Sequence, residues 1–205
     1  MGIAEFQKVL TALNKNSQAR GEVYLKLGET YRRKGDIGNS VAALYKAREA
    51  LPDSSMVAST LALSLDANGR RQEATQAYEQ AIKLDPRNAI ALNNLAFLLA
   101  ENGGDLDQAL TYAQRAEQMM PSMNEVSDTL GWIYLKKNLS DNAMDIFERL
   151  CQRVPDNSTY RYHLGLALSQ KGDKPRAIKE LQQALRSNPS KEEEGKIRDL
   201  ISKLG

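Results

Sequence analysis

Residues 124–157 read NEVSDTLGWIYLKKNLSDNAMDIFERLCQRVPDN. Two runs in it keep apolar or small residues three and four apart, the spacing of an amphipathic helix: Leu130, Gly131 and Tyr134, then Ala143, Phe147 and Leu150. Asn138 stands between them as the turn, and Pro155 closes the second run because proline cannot continue a helix. The same marks return at a spacing of about 34 residues, which is the signature of a helical repeat array. Upstream they are Leu27, Gly28, Tyr31, Leu44, Ala47, Pro52, then Leu61, Ala62, Leu65, Ala74, Tyr78, Ala81, Pro86. With one inserted residue near Gly103 and Gly104, the third copy is Leu95, Ala96, Leu99, Ala109, Ala113, Ala116, Pro121. The fifth is Leu164, Gly165, Leu168, Ala177, Leu181, Ala184, Pro189.

This pattern resembles the tetratricopeptide repeat over residues 21 to 191. The resemblance implies an all-α fold, a right-handed α-α superhelix or solenoid of helix-turn-helix repeats, with a concave groove that holds an extended peptide or a partner's helix. The expected organisation is one continuous repeat domain: an N-terminal half-repeat or capping helix at 1–20, repeats at 21–54, 55–88, 89–123, 124–157 and 158–189, and a capping helix at 190–205. At the fourth position, where the family often has Trp, this chain carries Tyr24, Ala58, Leu92, Ser127 and Arg161.

Hydrophobic content of 41% with 6% aromatic residues suits an array built on Leu and Ala rather than a sheet. The 28 basic and 26 acidic residues are scattered, so no basic stripe exists to neutralise a nucleic-acid backbone. Cys151 stands alone and is expected to be a buried thiol; with His163 the only histidine, no metal cluster forms. No phosphate-binding glycine loop and no base beside a Ser or Cys nucleophile occur, so no enzyme, catalytic residue or cofactor is expected. The longest apolar stretch, Ala89 to Ala100, is about half a membrane span, and a leader of basic then apolar residues is not seen. These points favour the cytoplasm and argue against membrane insertion.

Turns are expected at Gly35-Asp36, Gly69, Gly103-Gly104, Asn138 and Gly172-Asp173. Small residues at the eighth and twentieth repeat positions should let paired helices approach closely. Ser190 followed by Glu193 has the spacing of a capping box, and Ile197, Leu200, Ile201 and Leu204 share one face of a terminal helix. Residues 3 to 15, with Phe6, Val9, Leu10 and Leu13, read as half a repeat, either a cap or the cut edge of a longer array.

The first-helix positions 2, 5, 9 and 12 form a stripe opposite the core, which in the resembling family lines the groove. The candidate peptide-binding residues are Leu25, Glu29, Met56, Leu63, Asn93, Asn94, Phe97, Asp128, Trp132, Tyr162 and Leu166. The ninth position gives an apolar ladder of Leu63, Phe97, Trp132 and Leu166, readable as stacking area between helices or as an anchoring surface. Glu22, Glu29, Asp66, Glu125 and Asp128 outnumber Arg32 there, which favours a partner that is apolar with some basic residues. Family members that grip a C-terminal carboxylate need Lys and Asn where this chain has Leu25, Glu29 and Thr60, so that ligand is not expected.

The function expected is therefore a protein–protein interaction module acting as adaptor or scaffold. The competing expectation is a structural element forming homo-oligomers through its terminal helices, above all the N-terminal half-repeat. Asn93-Asn94-Leu95-Ala96 and Asp128-Thr129-Leu130-Gly131-Trp132 also look like bacterial envelope-associated members of the family, which adds a reading of the chain as a fragment of a longer protein of that kind.

Overall fold

The computed structural model describes residues 2–13 and 16–205; Met1, Asn14 and Lys15, which fall in the expected N-terminal half-repeat, lie outside the described residues. Among the described residues the regular structure is entirely α-helical. The helices are α1 (Ile3–Ala12), α2 (Ser17–Arg33), α3 (Ile37–Ala50), α4 (Ser55–Ala67), α5 (Arg71–Leu84) and α6 (Ala89–Glu101). They continue as α7 (Leu106–Met119), α8 (Asn124–Lys136), α9 (Ser140–Arg153), α10 (Ser158–Lys171), α11 (Lys174–Arg186) and α12 (Lys191–Leu204). The chain forms two compact units, Met1–Leu98 and Leu99–Gly205.

The helices begin and end where local chemistry requires. Asn16, Asp36, Ser54, Asn88, Asp105, Asn157, Asp173 and Ser190 each accept a backbone N–H of the first helical turn through the side chain. The turns inside the helix pairs reverse the chain through a left-handed residue: Gly35, Gly69, Gly103 and Gly172, with Asn138 doing the same at φ 57°. Asn is one of the few residues with a side chain that adopts this region readily, which is why the fourth turn needs no glycine.

In the first unit, α2 pairs with α3 and α4 with α5, and Leu44, Leu61, Leu65 and Tyr78 are fully buried. Gly28 is the crossing point of the first pair: a β-carbon there would stand 2.5 Å from Leu44 Cγ. The twentieth position of this pair is Ser40 rather than alanine. Its buried hydroxyl donates to the Gly28 carbonyl at 2.8 Å and lies 2.9 Å from the Ser64 hydroxyl, so the polar atom is satisfied inside the core. In the second unit α8 pairs with α9 and α10 with α11 around Ile133, Phe147, Leu150, Leu168 and Leu181. Gly131 and Gly165 repeat the close crossing against Phe147 and Leu181.

Both terminal helices bury an apolar face against their neighbours. Phe6 and Leu10 of α1 are buried against Leu27 and Ala43, with Val23, Tyr24 and Tyr31 packed around them. The outward positions of α1 are Ala4, Glu5, Gln7, Lys8, Thr11 and Ala12, mostly polar. At the other end Ile197 is fully buried against Leu181 and Ala184, flanked by Leu200, Ile201 and Leu204. Helix α2 starts at Ser17, ahead of the expected repeat boundary, because Asn16 accepts the Ala19 N–H at 3.0 Å. One expectation is corrected here. The capping box at α12 is only half made: the Glu193 N–H donates to Ser190 Oγ at 3.2 Å, but the Glu193 carboxylate is taken by the Ser158 hydroxyl of α10.

Candidate protein-binding face

The first helices α4 and α6 turn their core stripe inward; on the opposite stripe Ser59 and Ala100 are buried too, and Leu63, Asp66 and Asn93 are partly covered. On that stripe Met56 is 60% exposed, Ile90 54% and Phe97 43%. Among the described residues of the first unit these are all of the large hydrophobic side chains that are exposed. Leu63 is half-buried beside them in the stripe. Isolated apolar side chains on a surface need no explanation, but three on one predicted stripe of two first helices do.

Polar groups accompany them. The Asn93 amide donates to Asn94 Oδ1 at 3.2 Å, while Asn93 Oδ1 is buried without a hydrogen-bond partner. Tyr78 Oη and Arg32 Nε are likewise buried and unpaired. Burial raises the Tyr78 phenol well above the ordinary tyrosine range, against a smaller opposing influence of Asn94. Glu29 is not an open acid, since Lys26 pairs with it at 3.1 Å. Leu25 is corrected outright: it is 7% exposed and belongs to the packing, not to an open face. Position 5 turns inward there as position 12 does at Leu135, because the stripe is wider than the side of the helix that stays uncovered.

Two clefts of the first unit lie away from these side chains, each between a first and a second helix. One of about 380 Å³ is lined by Ser17, Arg20, Tyr24, Lys46, Glu49 and Ala50, and one of about 290 Å³ by Tyr45, Arg48, Glu73, Gln76 and Gln80 among others. At the latter, Arg70 donates two hydrogen bonds to Glu73 and the Tyr45 hydroxyl donates a third, and these hold the Glu73 carboxyl below its usual range; Arg70 also donates to Tyr45 Oη. These groups satisfy one another.

In the second unit the predicted residues are drawn into a mutually bonded cluster. Asp128 Oδ1 lies 2.8 Å from His163 Nδ1, and the imidazole centroid is 4.8 Å from Trp132, 5.2 Å from Phe147 and 5.8 Å from Tyr162. The half-buried Trp132 donates its indole N–H to Glu101 Oε1 at 2.8 Å. Lys136 Nζ sits 4.9 Å from the Trp132 ring centre and 3.1 Å from the same Glu101 oxygen. Tyr162 packs against the core beneath α12, and Leu166 is half-buried. Glu101, Lys136 and His163 were missed as site residues. The first two occupy the thirteenth repeat position, one step outside the stripe considered, and only their reach back to Trp132 brings them in. Among the described residues no group of His, Cys, Asp and Glu could hold a metal ion.

Helix pairs crossing at small residues define a helical repeat protein. Tetratricopeptide repeat profiles match residues 59–124 and 129–192, and a further one matches 21–50; the chain belongs to the tetratricopeptide repeat family. That fold typically serves as a protein-interaction scaffold rather than a catalyst. Among curated relatives, the type IV pilus assembly protein PilF of Pseudomonas aeruginosa is 28% identical over 130 residues, covering 62% of this chain and 51% of PilF. The probable UDP-N-acetylglucosamine–peptide N-acetylglucosaminyltransferase SPINDLY of Hordeum vulgare is 26% identical over 115 residues, 53% of this chain but 12% of that protein. The chain thus spans about half or less of the length of these relatives. Among solved structures, Pseudomonas aeruginosa PilF superimposes with a TM-score of 0.73 at 20% identity, covering 93% of this chain and 90% of that one. YrrB, described as a repeat protein with an unusual peptide-binding site, gives 0.74 at 18% identity over 94% and 96% of the two chains. At these identities the likeness shows the fold alone. No described helix is long and apolar enough to cross a membrane.

Proposed function

We propose that this protein is a non-catalytic adaptor that binds a segment of another protein on the open first-helix stripe, with Met56, Ile90 and Phe97 as the apolar contacts. The observation that carries this reading is the exposure of those three side chains while the core stripe of the same helices is closed. Large apolar and aromatic side chains left in water on a folded surface are where partners gain most of their binding energy. The likeness to PilF supports an envelope-associated assembly as the setting, with a pilus-type component as the kind of partner. Self-association through α1 is the weaker reading, since Phe6 and Leu10 are already buried within the chain and its outward positions are mostly polar. The test is binding of peptides selected against the whole chain, compared between the wild type and a variant in which Ile90 and Phe97 are alanine.

A further inference from the structure

The cluster around Trp132 carries a second element of recognition, which rests on the reading of the first-helix stripe as a binding face. Three features meet there: an aromatic ring, a carboxylate fixed beside it, and an ammonium group resting on both. Glu101 is held in place by the indole N–H at 2.8 Å and by Lys136 at 3.1 Å. The other neighbour of the ring is His163, itself oriented by Asp128, so the indole has fixed surroundings. Both Lys136 and Glu101 remain 37% exposed at the side chain. An ammonium on a mobile four-carbon stem in so exposed a position is weakly held, because exposed ion pairs and cation–π contacts each contribute little.

We infer that Trp132 and Glu101 form a slot for a basic side chain of the partner, and that Lys136 fills it in the free protein as an internal substitute. An arginine suits the slot better than the lysine it displaces: its planar guanidinium stacks on an indole and pairs with a carboxylate at the same time. Displacement releases Lys136 to water, so the exchange loses one weak pair and forms a stronger one. Glu101 beside the ring and Asp128 on its His163 neighbour favour a basic occupant; Lys136 opposes it, and Lys196, which feels the charge of Glu101, is itself paired with Glu192 at 2.6 Å.

The test uses the fact that Trp132 is the only tryptophan of the chain, so fluorescence excited beyond the absorption of its 8 tyrosines reports on the slot. The whole protein is titrated with short acetylated leucine-rich peptides that differ in one residue, Arg, Lys, Gln or Glu. The expected result is that Arg binds tightest, Lys next, and Gln and Glu weakest, with the Trp132 emission changing only for the basic peptides. Lys136→Met should tighten the Arg peptide about threefold to tenfold, and Glu101→Gln should weaken it by a similar factor. Trp132→Phe, followed by labelled peptide, keeps the packing while reducing the cation preference. Equal affinity for all four peptides with binding still lost in Phe97→Ala would overturn the slot and leave the binding face intact. A weaker Arg peptide with Lys136→Met would overturn it as well, since Lys136 would then be supporting the ligand. Binding of none of the peptides would count against both readings.

Discussion

Gly131 on α8 lies so close to Phe147 on α9 that a β-carbon at residue 131 would stand 2.7 Å from two atoms of the phenyl ring. Phe147 is fully buried, and Ile146 Cγ2 stands 3.2 Å from the same β-carbon position, so a side chain at residue 131 is crowded by two buried neighbours. Gly131→Ala gains about 1 kcal/mol of helix propensity but forces the pair apart, at a cost of about 1–3 kcal/mol. A net loss of stability is expected, seen as a lower midpoint in urea unfolding followed by circular dichroism.

Gly195 gives the opposite sign. It sits inside α12 with no atom within 4 Å of where a β-carbon would be. Gly195→Ala should therefore stabilise the chain by up to about 1 kcal/mol, read as a higher unfolding midpoint. Because α12 covers Leu181 and Ala184, the gain should appear in protection of amide hydrogens across α11 as well as in α12.

Cys151 is buried, and that burial raises its thiol to about 11, with Arg161 opposing the shift and Glu180, Glu148 and Asp128 reinforcing it. The folded chain thus holds the proton more tightly than the unfolded chain, whose thiol ionises near 9.0. The contribution to stability is fully present below pH 9.0 and is lost as pH rises toward about 11, because the unfolded state ionises first. Labelling with a thiol reagent at pH 8 should be at least about a hundredfold slower in the native protein than in denaturant. Equal rates in the two states would show that the thiol is open.

The fold was legible because its signals are local and repeated. Small residues at the crossing points, left-handed turn residues and late prolines each fix one feature, and five copies in phase leave little freedom. The face was less legible. Wheel geometry placed Met56, Ile90 and Phe97 on an uncovered stripe, yet it could not say that Leu25 and Leu135 on the same stripe are closed over by neighbouring helices. The pairing of Asp128 with His163 joins residues 35 apart in sequence, and that of Trp132 with Glu101 residues 31 apart. Neither has a sequence signature, because each depends on how one helix pair sits on another. Glu193 shows the same limit: its spacing from Ser190 suits a capping box, but a hydroxyl from α10 competes for the carboxylate and wins.

The central claim, that the open stripe of α4 and α6 holds a partner segment, is tested most directly by the dissociation constant of one peptide selected against the wild-type chain. That constant is measured by calorimetry for the wild type and for Phe97→Ala and Ile90→Ala, each shown to keep its helical content. Because anchoring side chains typically contribute about 2 kcal/mol, Phe97→Ala should weaken binding by about thirtyfold and Ile90→Ala by a smaller factor. Unchanged constants in both folded variants would contradict the account and place the binding surface elsewhere on the molecule.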